Sequence, residues 1–278
     1  MRFLVITPVI NANSMLMETF NSIVNQMSIG ERFSITYIIA DAGSTSNDDF
    51  SFVEEMLSGF KSVEGLDVIH VKYKDKSMYD GLVNAIKTEL DNDYDYFSYI
   101  NSGDYYSPYA FQSIVDNNSA GNNEAWITGC IGSYNEHGQL YKLIEPVAYP
   151  KSLILSGVFG RFLPYIQQES NFFKFDFLKK IDLEKLSNFK YAGDFYLWKS
   201  LGDLGFSPKI SPIWLAGFRE HDGQLSSVYD KEYKKEMLSV CDKVSVLSFF
   251  KSFVILSLYV IHPRLRPRAI VERVRKWK

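Results

Sequence analysis

The chain has few cysteines and no glycine-rich loop near its start, and these two shortages exclude several common classes of protein. Its two cysteines, Cys130 and Cys241, are too few and too far apart for a disulfide framework or a zinc site. We therefore expect both to be buried thiols in a reducing compartment. The first apolar segment ends in Thr7-Pro-Val-Ile-Asn11, which lacks the glycines of Rossmann-type phosphate loops.

The sequence also lacks repeats, low-complexity tracts and a charged-then-apolar leader at its start. A chain that begins directly with an apolar segment is not expected to be secreted, so we expect cytoplasmic localisation. The 278 residues are 46% hydrophobic, which is enough for one large domain with a sizeable core.

Charge is distributed unevenly along the chain. Residues 264–278 hold seven Arg or Lys and one Glu, although the whole chain has a formal net charge of −3. An almost wholly apolar run, Val244–Ile261, precedes this basic segment. The combination is typical of peripheral attachment to an anionic membrane surface, here the inner face of the cell membrane. Two alternatives stay open: a helix that packs on the body with a solvated basic end, and a helix that spans the bilayer. No nucleic-acid-binding module accompanies the basic residues.

The first hundred residues alternate between buried strands and amphipathic helices. Apolar strands end at Thr7-Pro8, at Asp41-Ala-Gly-Ser-Thr45 and at Asn101-Ser-Gly-Asp104, and a helix opens in Met78-Tyr-Asp-Gly81. Parallel strands joined by helices bring their carboxyl ends to one edge of a sheet, where open α/β sheets bind ligands. We therefore expect Asp41, Asp80 and Asp104 to gather there.

These motifs, in this order and spacing over roughly residues 1–110, resemble the nucleotide-sugar-binding half of inverting family 2 glycosyltransferases with the GT-A fold. The resemblance implies that Asp104 binds Mn²⁺ or Mg²⁺, although Asn101 and Gly103 stand where relatives often carry further carboxylates. It implies that Asp41 accepts the N3–H of uracil and that Asp80 lies near the ribose and diphosphate. The expected donor-binding set is completed by Thr7, Pro8, Gly43, Ser44, Asn84, Asn101, Ser102 and Gly103.

The second half matches the same family more loosely. Strands are expected over 124–130 and 138–144, around a turn at Asn135–Gly138. Gln167-Gln168 stands where relatives often have His-Gln, so the pair can position substrate but cannot titrate.

Asp194, in Tyr191-Ala-Gly-Asp194, resembles the family's catalytic base at the start of a helix. That helix is expected to be buried through Phe195, Leu197, Trp198, Leu201 and Leu204. A helix N-terminus is expected to lower the pKa of Asp194. The alternative role for Asp194 is a helix cap.

The segment Phe218–Ser227 resembles the family's closing loop. There, Arg219 is expected to meet the diphosphate and His221 to complete the metal shell. His70, His137 and His262 belong to no visible constellation.

Together the patterns predict an α/β chain with the GT-A fold: a mixed, mostly parallel sheet flanked by helices, with a helical C-terminal extension. Residues 1–106 form the nucleotide-sugar-binding half, 107–227 the acceptor-binding half, and 228–278 a basic membrane-associating tail. The predicted activity is metal-dependent transfer of a sugar, with inversion, from a UDP-sugar to a hydroxyl of a lipid-linked glycan. The alternatives are a catalytically inactive carbohydrate- or nucleotide-binding protein and a nucleotidyltransferase.

Overall fold

The structure, a computed structural model, describes residues 1–42, 47–119, 121, 124–220, 228–243 and 245–261. The strands are β1 (Arg2–Val9), β2 (Ser34–Asp41), β3 (Leu66–Lys72), β4 (Tyr96–Tyr99), β5 (Tyr105–Tyr106), β6 (Trp126–Tyr134), β7 (Leu140–Ile144), β8 (Phe172–Lys174) and β9 (Lys209–Arg219). The helices are α1 (Ser14–Val24), α2 (Asn47–Ser58), α3 (Met78–Glu89), α4 (Ala110–Ser119), α5 (Lys151–Leu155), α6 (Leu183–Ser187), α7 (Gly193–Asp203), α8 (Asp230–Val240) and α9 (Val246–Ile261). Two 3₁₀ turns cover Gln168–Ser170 and Phe175–Lys180.

All of these strands belong to one sheet, in the order β3-β2-β1-β4-β8-β6-β9-β5, with β7 paired to β6. The first four strands of that order are parallel to one another, and β8 is antiparallel to both β4 and β6. The sheet therefore continues without a break from the predicted donor half into the predicted acceptor half. The mixed, mostly parallel sheet flanked by helices confirms the predicted fold class.

Each face of the sheet carries its own core, because neighbouring side chains of a strand point to opposite faces. In β1, Leu4 and Ile6 pack with helices α3 and α7, whereas Phe3 and Val5 pack with α1 and α4. All four side chains are fully buried. A strand covered on both faces is expected to be apolar at nearly every position, and the segment Phe3–Ile6 of β1 fits this expectation.

The predicted elements form, with small differences at their ends. The hairpin around Asn135–Gly138 is present as β6 and β7. The helix after Asp194 buries Phe195, Leu197, Trp198 and Leu201, but the prediction for Leu204 is wrong. Leu204 is the C-cap of α7, where the helix ends, and it is 41% exposed. Cys130 is buried as predicted, whereas Cys241 is only half-buried, at the end of α8.

The two C-terminal helices differ in how they contact the body. Helix α8 buries Tyr233 and Met237 in the same core as α7. Helix α9 exposes six apolar side chains between Val246 and Val254, and the basic segment after it lies outside the described residues. Among the helices described, none has both the length and the hydropathy needed to cross a bilayer.

Candidate active site

The candidate site is a cavity of about 670 Å³ at the carboxyl ends of β1, β2 and β4. Its size lies within the usual range for small-molecule sites. Residues from both predicted halves line it: Pro8, Asn101, Ser102, Gly103 and Asp104 from the first, and Gln168, Glu169, Asp194 and Arg219 from the second. The structure therefore brings the predicted metal ligand Asp104 and the predicted base Asp194 into one cavity.

The turn after β4 is held in place by a threonine of α1. The Thr19 hydroxyl donates to the carbonyl of Asp104 at 2.7 Å and accepts from the backbone N–H of Gly103 at 2.9 Å. Gly103 has φ of +101°, a conformation that favours glycine, so a carboxylate-bearing residue at this position would be strained. This conformation accounts for a glycine, rather than a further carboxylate, at position 103.

Asp104 is buried and faces a second carboxylate, Glu169. Its Oδ1 accepts from the backbone N–H of Arg219 at 2.9 Å. Burial, followed by the charge of Glu169, raises the pKa of Asp104 well above its usual range. Burial also raises the pKa of Glu169 to about 7, with a contribution from the charge of Asp194. Two facing carboxylates in a buried cavity repel each other unless a proton or a cation lies near them.

Asp194 occupies the first turn of α7, as predicted, but its electrostatics differ from the expectation. Its Oδ1 accepts from the N–H of Phe195 at 2.6 Å and from the hydroxyl of Tyr233 at 3.0 Å. Burial raises its pKa to about 7, and these hydrogen bonds oppose the rise without cancelling it. The expected lowering by the helix N-terminus is therefore wrong, because removal from water outweighs it.

A close approach between two helices gives Asp194 its position. Helix α7 begins at Gly193, and a Cβ at that residue would lie 2.4 Å from the ring of Tyr79 on α3. Only glycine allows this contact. The N-cap residue Ala192 makes no side-chain cap, and Asp194 bonds to its own successor, so Asp194 is not the N-cap of α7.

Asp41 lies beside the cavity, with its carboxylate covered. It ends β2 between Ala40 and Ala42, which line the cavity, but its side chain has no exposed surface. His70 on β3, for which the sequence indicated no role, places Nε2 3.5 Å from Asp41 Oδ2. Thr7 is likewise buried, and its hydroxyl accepts from that of Tyr37 at 3.0 Å. The predicted contact of Asp41 with uracil stays a prediction.

Asp75, rather than Asp80, presents the carboxylate of this segment to the cavity. Asp80 closes the first turn of α3 by accepting from the backbone N–H of Lys76 at 2.9 Å. Asn84 donates to Asp75 Oδ1 at 2.7 Å. It therefore orients a side chain that lines the cavity without lining the cavity itself. Burial, opposed by this hydrogen bond, raises the pKa of Asp75. A Cβ on Gly81 would lie 2.5 Å from Asp75 Oδ2, which explains the glycine there.

Arg219 lines the cavity as predicted, but its guanidinium is already paired. It forms a two-pronged salt bridge with Glu18 of α1, in which Nη1 lies 2.8 Å from Oε1. The cavity's other cations are Lys76 and Lys190, which the sequence analysis did not select. Of the remaining predicted site residues, Gly43, Ser44 and His221 lie outside the described residues.

Five residues that line the cavity were not predicted from the sequence: Asp75, Tyr79, Glu169, Lys190 and Tyr233. Two of them carried a usable signal. Asp75 belongs to the motif that resembles the family, and Glu169 is a charged residue just before the buried pair Phe172-Phe173. Tyr233 carried none, because it reaches Asp194 across 39 residues of chain.

The cavity fits a divalent cation. Within the described residues no group of three or more His, Cys, Asp or Glu could hold a metal ion by itself. However, Asp104 and Glu169 supply hard oxygen ligands, and Glu169 Oε2 has no hydrogen-bond partner within the part of the chain that is described. Mg²⁺ commonly takes one or two carboxylates and fills its shell with substrate phosphates and water. A cation there would also relieve the repulsion between the two carboxylates.

No family model matches the chain and no curated protein matches its sequence, whereas many solved structures match its fold. The TarS protein of S. aureus, in complex with UDP-GlcNAc, aligns over 82% of this chain and 61% of its own, with TM-score 0.53 and 15% identity. GalNAc-T7 with UDP, GalNAc and Mn²⁺ aligns over 79% of this chain and 44% of its own, with TM-score 0.55 and 13% identity.

A third structure is that of a mannosyltransferase. The mannosyltransferase PcManGT of Pyrobaculum calidifontis, with GDP-Man and Mn²⁺, aligns over 92% of this chain and 69% of its own, with TM-score 0.58 and 11% identity. The chain has the GT-A glycosyltransferase fold. It spans less than two thirds of the length of the first two proteins, so their activities do not transfer with the fold.

In the sheet, β2 and β3 lie on one side of β1 and β4 lies on its other side. The cavity lies at the carboxyl ends of β1 and β4, where the direction of strand addition reverses. In sheets of this type, the carboxyl ends of the strands next to such a turn form the ligand-binding crevice. The position of the cavity therefore follows from the fold, whereas its chemistry follows from the acidic residues that line it.

Proposed function

We propose that this chain is a glycosyltransferase that moves a sugar from a UDP-sugar to a hydroxyl of a glycan acceptor, with inversion at the anomeric carbon. The observation that carries the proposal is the single cavity that joins Asp104 at the end of β4 to Asp194 at the start of α7. A donor diphosphate needs charge compensation on one side, and an acceptor hydroxyl needs a base on the other. The cavity offers both, and the motif order supports the inverting family 2 assignment.

In the proposed reaction Asp194 takes the proton of the acceptor hydroxyl as its oxygen bonds to the anomeric carbon. The bond between that carbon and the diphosphate oxygen breaks on the opposite face, and UDP leaves. A base works best when its pKa lies near the working pH, and the pKa of Asp194, raised to about 7 by burial, satisfies this condition.

Asp104 and Glu169 would hold Mn²⁺ or Mg²⁺ together with donor phosphate oxygens. When bound, the cation neutralises the charge that develops on the departing diphosphate. Lys76 and Lys190 lie along the same cavity and can add to that compensation. The UDP and Mn²⁺ in the structures of GalNAc-T7, and the UDP-GlcNAc in that of TarS, support a UDP-sugar donor and a metal.

The proposed division of the chain follows the sequence: 1–106 for the donor, 107–227 for the acceptor, and 228–278 for attachment to the inner face of the cell membrane. The exposed apolar side chains of α9 and the basic residues that follow support an anionic membrane as partner. A chain held at that surface would reach a lipid-linked glycan. Helix α8 lies in this last segment, and it also contributes Tyr233 to the cavity.

Nucleotide binding tests the donor and metal assignments together. UDP should raise the melting temperature when Mn²⁺ is present and have little effect without it, whereas GDP, TDP and CMP should do less. Asp104→Asn should abolish the Mn²⁺-dependent rise in melting temperature. Asp176→Asn, at an exposed carboxylate outside the cavity, should leave that rise unchanged. A preference for GDP or TDP would contradict the role of Asp41. Stabilisation by UDP without UDP release from any UDP-sugar would favour the inactive binding protein.

A further inference from the structure

Helix α8 contacts the start of α7 at two points, which lie one helical turn apart on the same face of α8. Tyr233, 8% exposed, donates its hydroxyl to Asp194 Oδ1 at 3.0 Å. Glu236 accepts from the backbone N–H groups of Tyr191 and Ala192, both at 2.9 Å, and from that of Lys190 at 3.1 Å. One contact fixes the side chain of the proposed base, and the other fixes the backbone that carries it.

The hydroxyl of Tyr233 is a donor toward the ionised Asp194 carboxylate. Burial, followed by the charge of Asp194, raises the pKa of Tyr233 well above its usual range, so the phenol keeps its proton. Tyr165 does not replace it. Tyr165 packs edge-on against the Tyr233 ring at 5.3 Å, but its hydroxyl donates to Asp230 at 3.2 Å.

Five titratable side chains from other parts of the chain lie near Asp194. These groups are Tyr79 on α3, Tyr99 on β4, Glu169 on the first 3₁₀ turn, Tyr165 before that turn, and Tyr233 on α8. Glu169 is the charged member of the set, and it disfavours ionisation of Asp194. Hydrogen bonds from the N–H of Phe195, from Tyr233 and, to a smaller extent, from Tyr79 favour ionisation. Of the two tyrosine bonds, which side-chain substitution can remove, the bond from Tyr233 has the larger effect.

We propose that Tyr233 is a positioning residue of the transfer reaction, whose hydroxyl holds the Asp194 carboxylate in the orientation from which it takes the acceptor's proton. This inference rests on the proposed function, in which Asp194 is the base. Tyr233 contributes no proton: the acceptor's proton moves to Asp194, and the phenol O–H bond stays intact throughout. The residue from α8 is therefore part of the active site, although the sequence places it beyond the acceptor-binding half.

The first test is a direct titration of Asp194 in the full chain by carbon-13 NMR of labelled aspartate carboxyls, with Asp194→Asn used to assign the signal. Loss of a hydrogen bond that favours the ionised form should raise the midpoint of Asp194 in Tyr233→Phe by about 0.5–1 pH unit. Tyr165→Phe, in the same aromatic pair, is the matched control and should leave the midpoint unchanged. An unchanged midpoint in Tyr233→Phe would overturn the inference whatever the enzyme's activity.

The second test follows UDP release from UDP-glucose, UDP-galactose and UDP-GlcNAc with Mn²⁺, as a function of pH. In Tyr233→Phe, the acidic limb of kcat should move to higher pH by the same amount, with KM nearly unchanged, and kcat near pH 7 should fall about 2–6-fold. If Asp194→Asn keeps full activity, the assignment of the base fails. If Asp194→Asn is inactive while Tyr233→Phe keeps the wild-type profile, only the role of Tyr233 fails.

A variant that retains both the ring and the hydroxyl protects the test against a folding defect. If Tyr233→Phe fails to fold, 3-fluorotyrosine at position 233 preserves shape and supplies a more acidic donor. It should move the Asp194 midpoint to lower pH, in the direction opposite to that expected for Tyr233→Phe. No movement with 3-fluorotyrosine would contradict the inference.

Discussion

At the scale of single residues, the role of each carboxylate depends on its surroundings rather than on its type. Asp194, Glu169 and Asp104 share a cavity that removes them from water, and burial is the largest cause of the raised pKa of each. Asp80 contains the same carboxyl group, but it closes a helical turn outside the cavity lining. Catalytic sites commonly concentrate such perturbed groups. The raised pKa values of these three carboxyl groups therefore support the proposed chemistry independently of the sequence motifs.

Asp194→Asn should lower activity and raise stability in a pH-dependent way. The pKa of Asp194 is raised above its unfolded value, so its contribution to stability is complete below about pH 4 and is lost as the pH rises to about 7. Asparagine avoids that loss. Melting temperatures measured across pH should therefore diverge between pH 4 and 7 and stay apart above pH 7. The expected shift is several degrees or more, since each pKa unit corresponds to about 1.4 kcal/mol and each kcal/mol to roughly 2–4 °C in large domains.

Activity at pH 7.5 should fall by about 10²–10⁴-fold in the same variant, the usual contribution of a general base. Asp203→Asn is the control, because Asp203 lies on the same helix and pairs with Lys199 at the surface. Equal melting temperatures of Asp194→Asn and the wild type at every pH would show that the carboxyl is not desolvated.

The sequence identified residues whose function resides in a local motif, and it missed residues that depend on tertiary packing. Asp104 follows a strand within a short turn, so its position could be predicted from its neighbours. The choice between Asp75 and Asp80 could not, because it depends on how Gly81 lets the Asp75 side chain pack against α3. Glu169 could not be predicted from the resemblance, which concerns the preceding pair Gln167-Gln168.

At the scale of elements, α7 obtains its N-terminal cap from another helix. The first N–H groups of a helix lack partners within it, and a side chain usually accepts from them. Ala192, the N-cap of α7, cannot do so, and Glu236 of α8 accepts from the N–H groups of Tyr191 and Ala192 instead. A carboxylate at this point also interacts favourably with the helix dipole. The position of Asp194 therefore depends on α8.

Glu236→Ala should destabilise the chain by about 1–2 kcal/mol, the typical cost of a lost N-cap, which corresponds to a melting temperature lower by roughly 2–8 °C. Glu232→Ala on the preceding turn of α8 is the matched control, since Glu232 is an exposed residue of the first turn. Amide hydrogen exchange should become faster at Tyr191 and Ala192 in the Glu236 variant alone. Equal stability of the two variants would show that Glu236 does not cap α7.

The alternation of strands and helices was predictable element by element, because buried parallel strands are apolar at nearly every position and the helices are amphipathic. The contact between α8 and α7 was not, because its residues lie about 40 positions apart and form no periodic pattern. The end of α7 shows the same limit. Leu204 fits the apolar spacing of the helix but lies exposed at its C-cap.

At the scale of the whole molecule, helix α9 presents a group of exposed aromatic side chains. Helix α9 exposes Phe249, Phe250 and Phe253 by 52–64%, and Phe249 packs edge-on against Phe162 at 5.3 Å. Monomeric proteins rarely leave contiguous apolar surface uncovered unless it meets a partner. The chain that follows carries a strong positive charge, which complements an anionic bilayer and would disfavour a basic protein partner. The same helix is connected through residues 241–245 to α8, so attachment would hold the active site near the lipid.

Phe250→Ser combined with Phe253→Ser should weaken binding to vesicles that contain phosphatidylglycerol, measured by co-sedimentation, by about tenfold or more, because each phenylalanine contributes 1–3 kcal/mol when buried. Tyr109→Ser, at an aromatic residue of similar exposure before α4, is the control and should bind like the wild type. Binding should also weaken with added salt and be poor on phosphatidylcholine alone, because the basic segment acts through screened charge. Equal binding by the double variant and the wild type would show that α9 does not contact the membrane, and salt-insensitive binding would contradict the role of the basic residues.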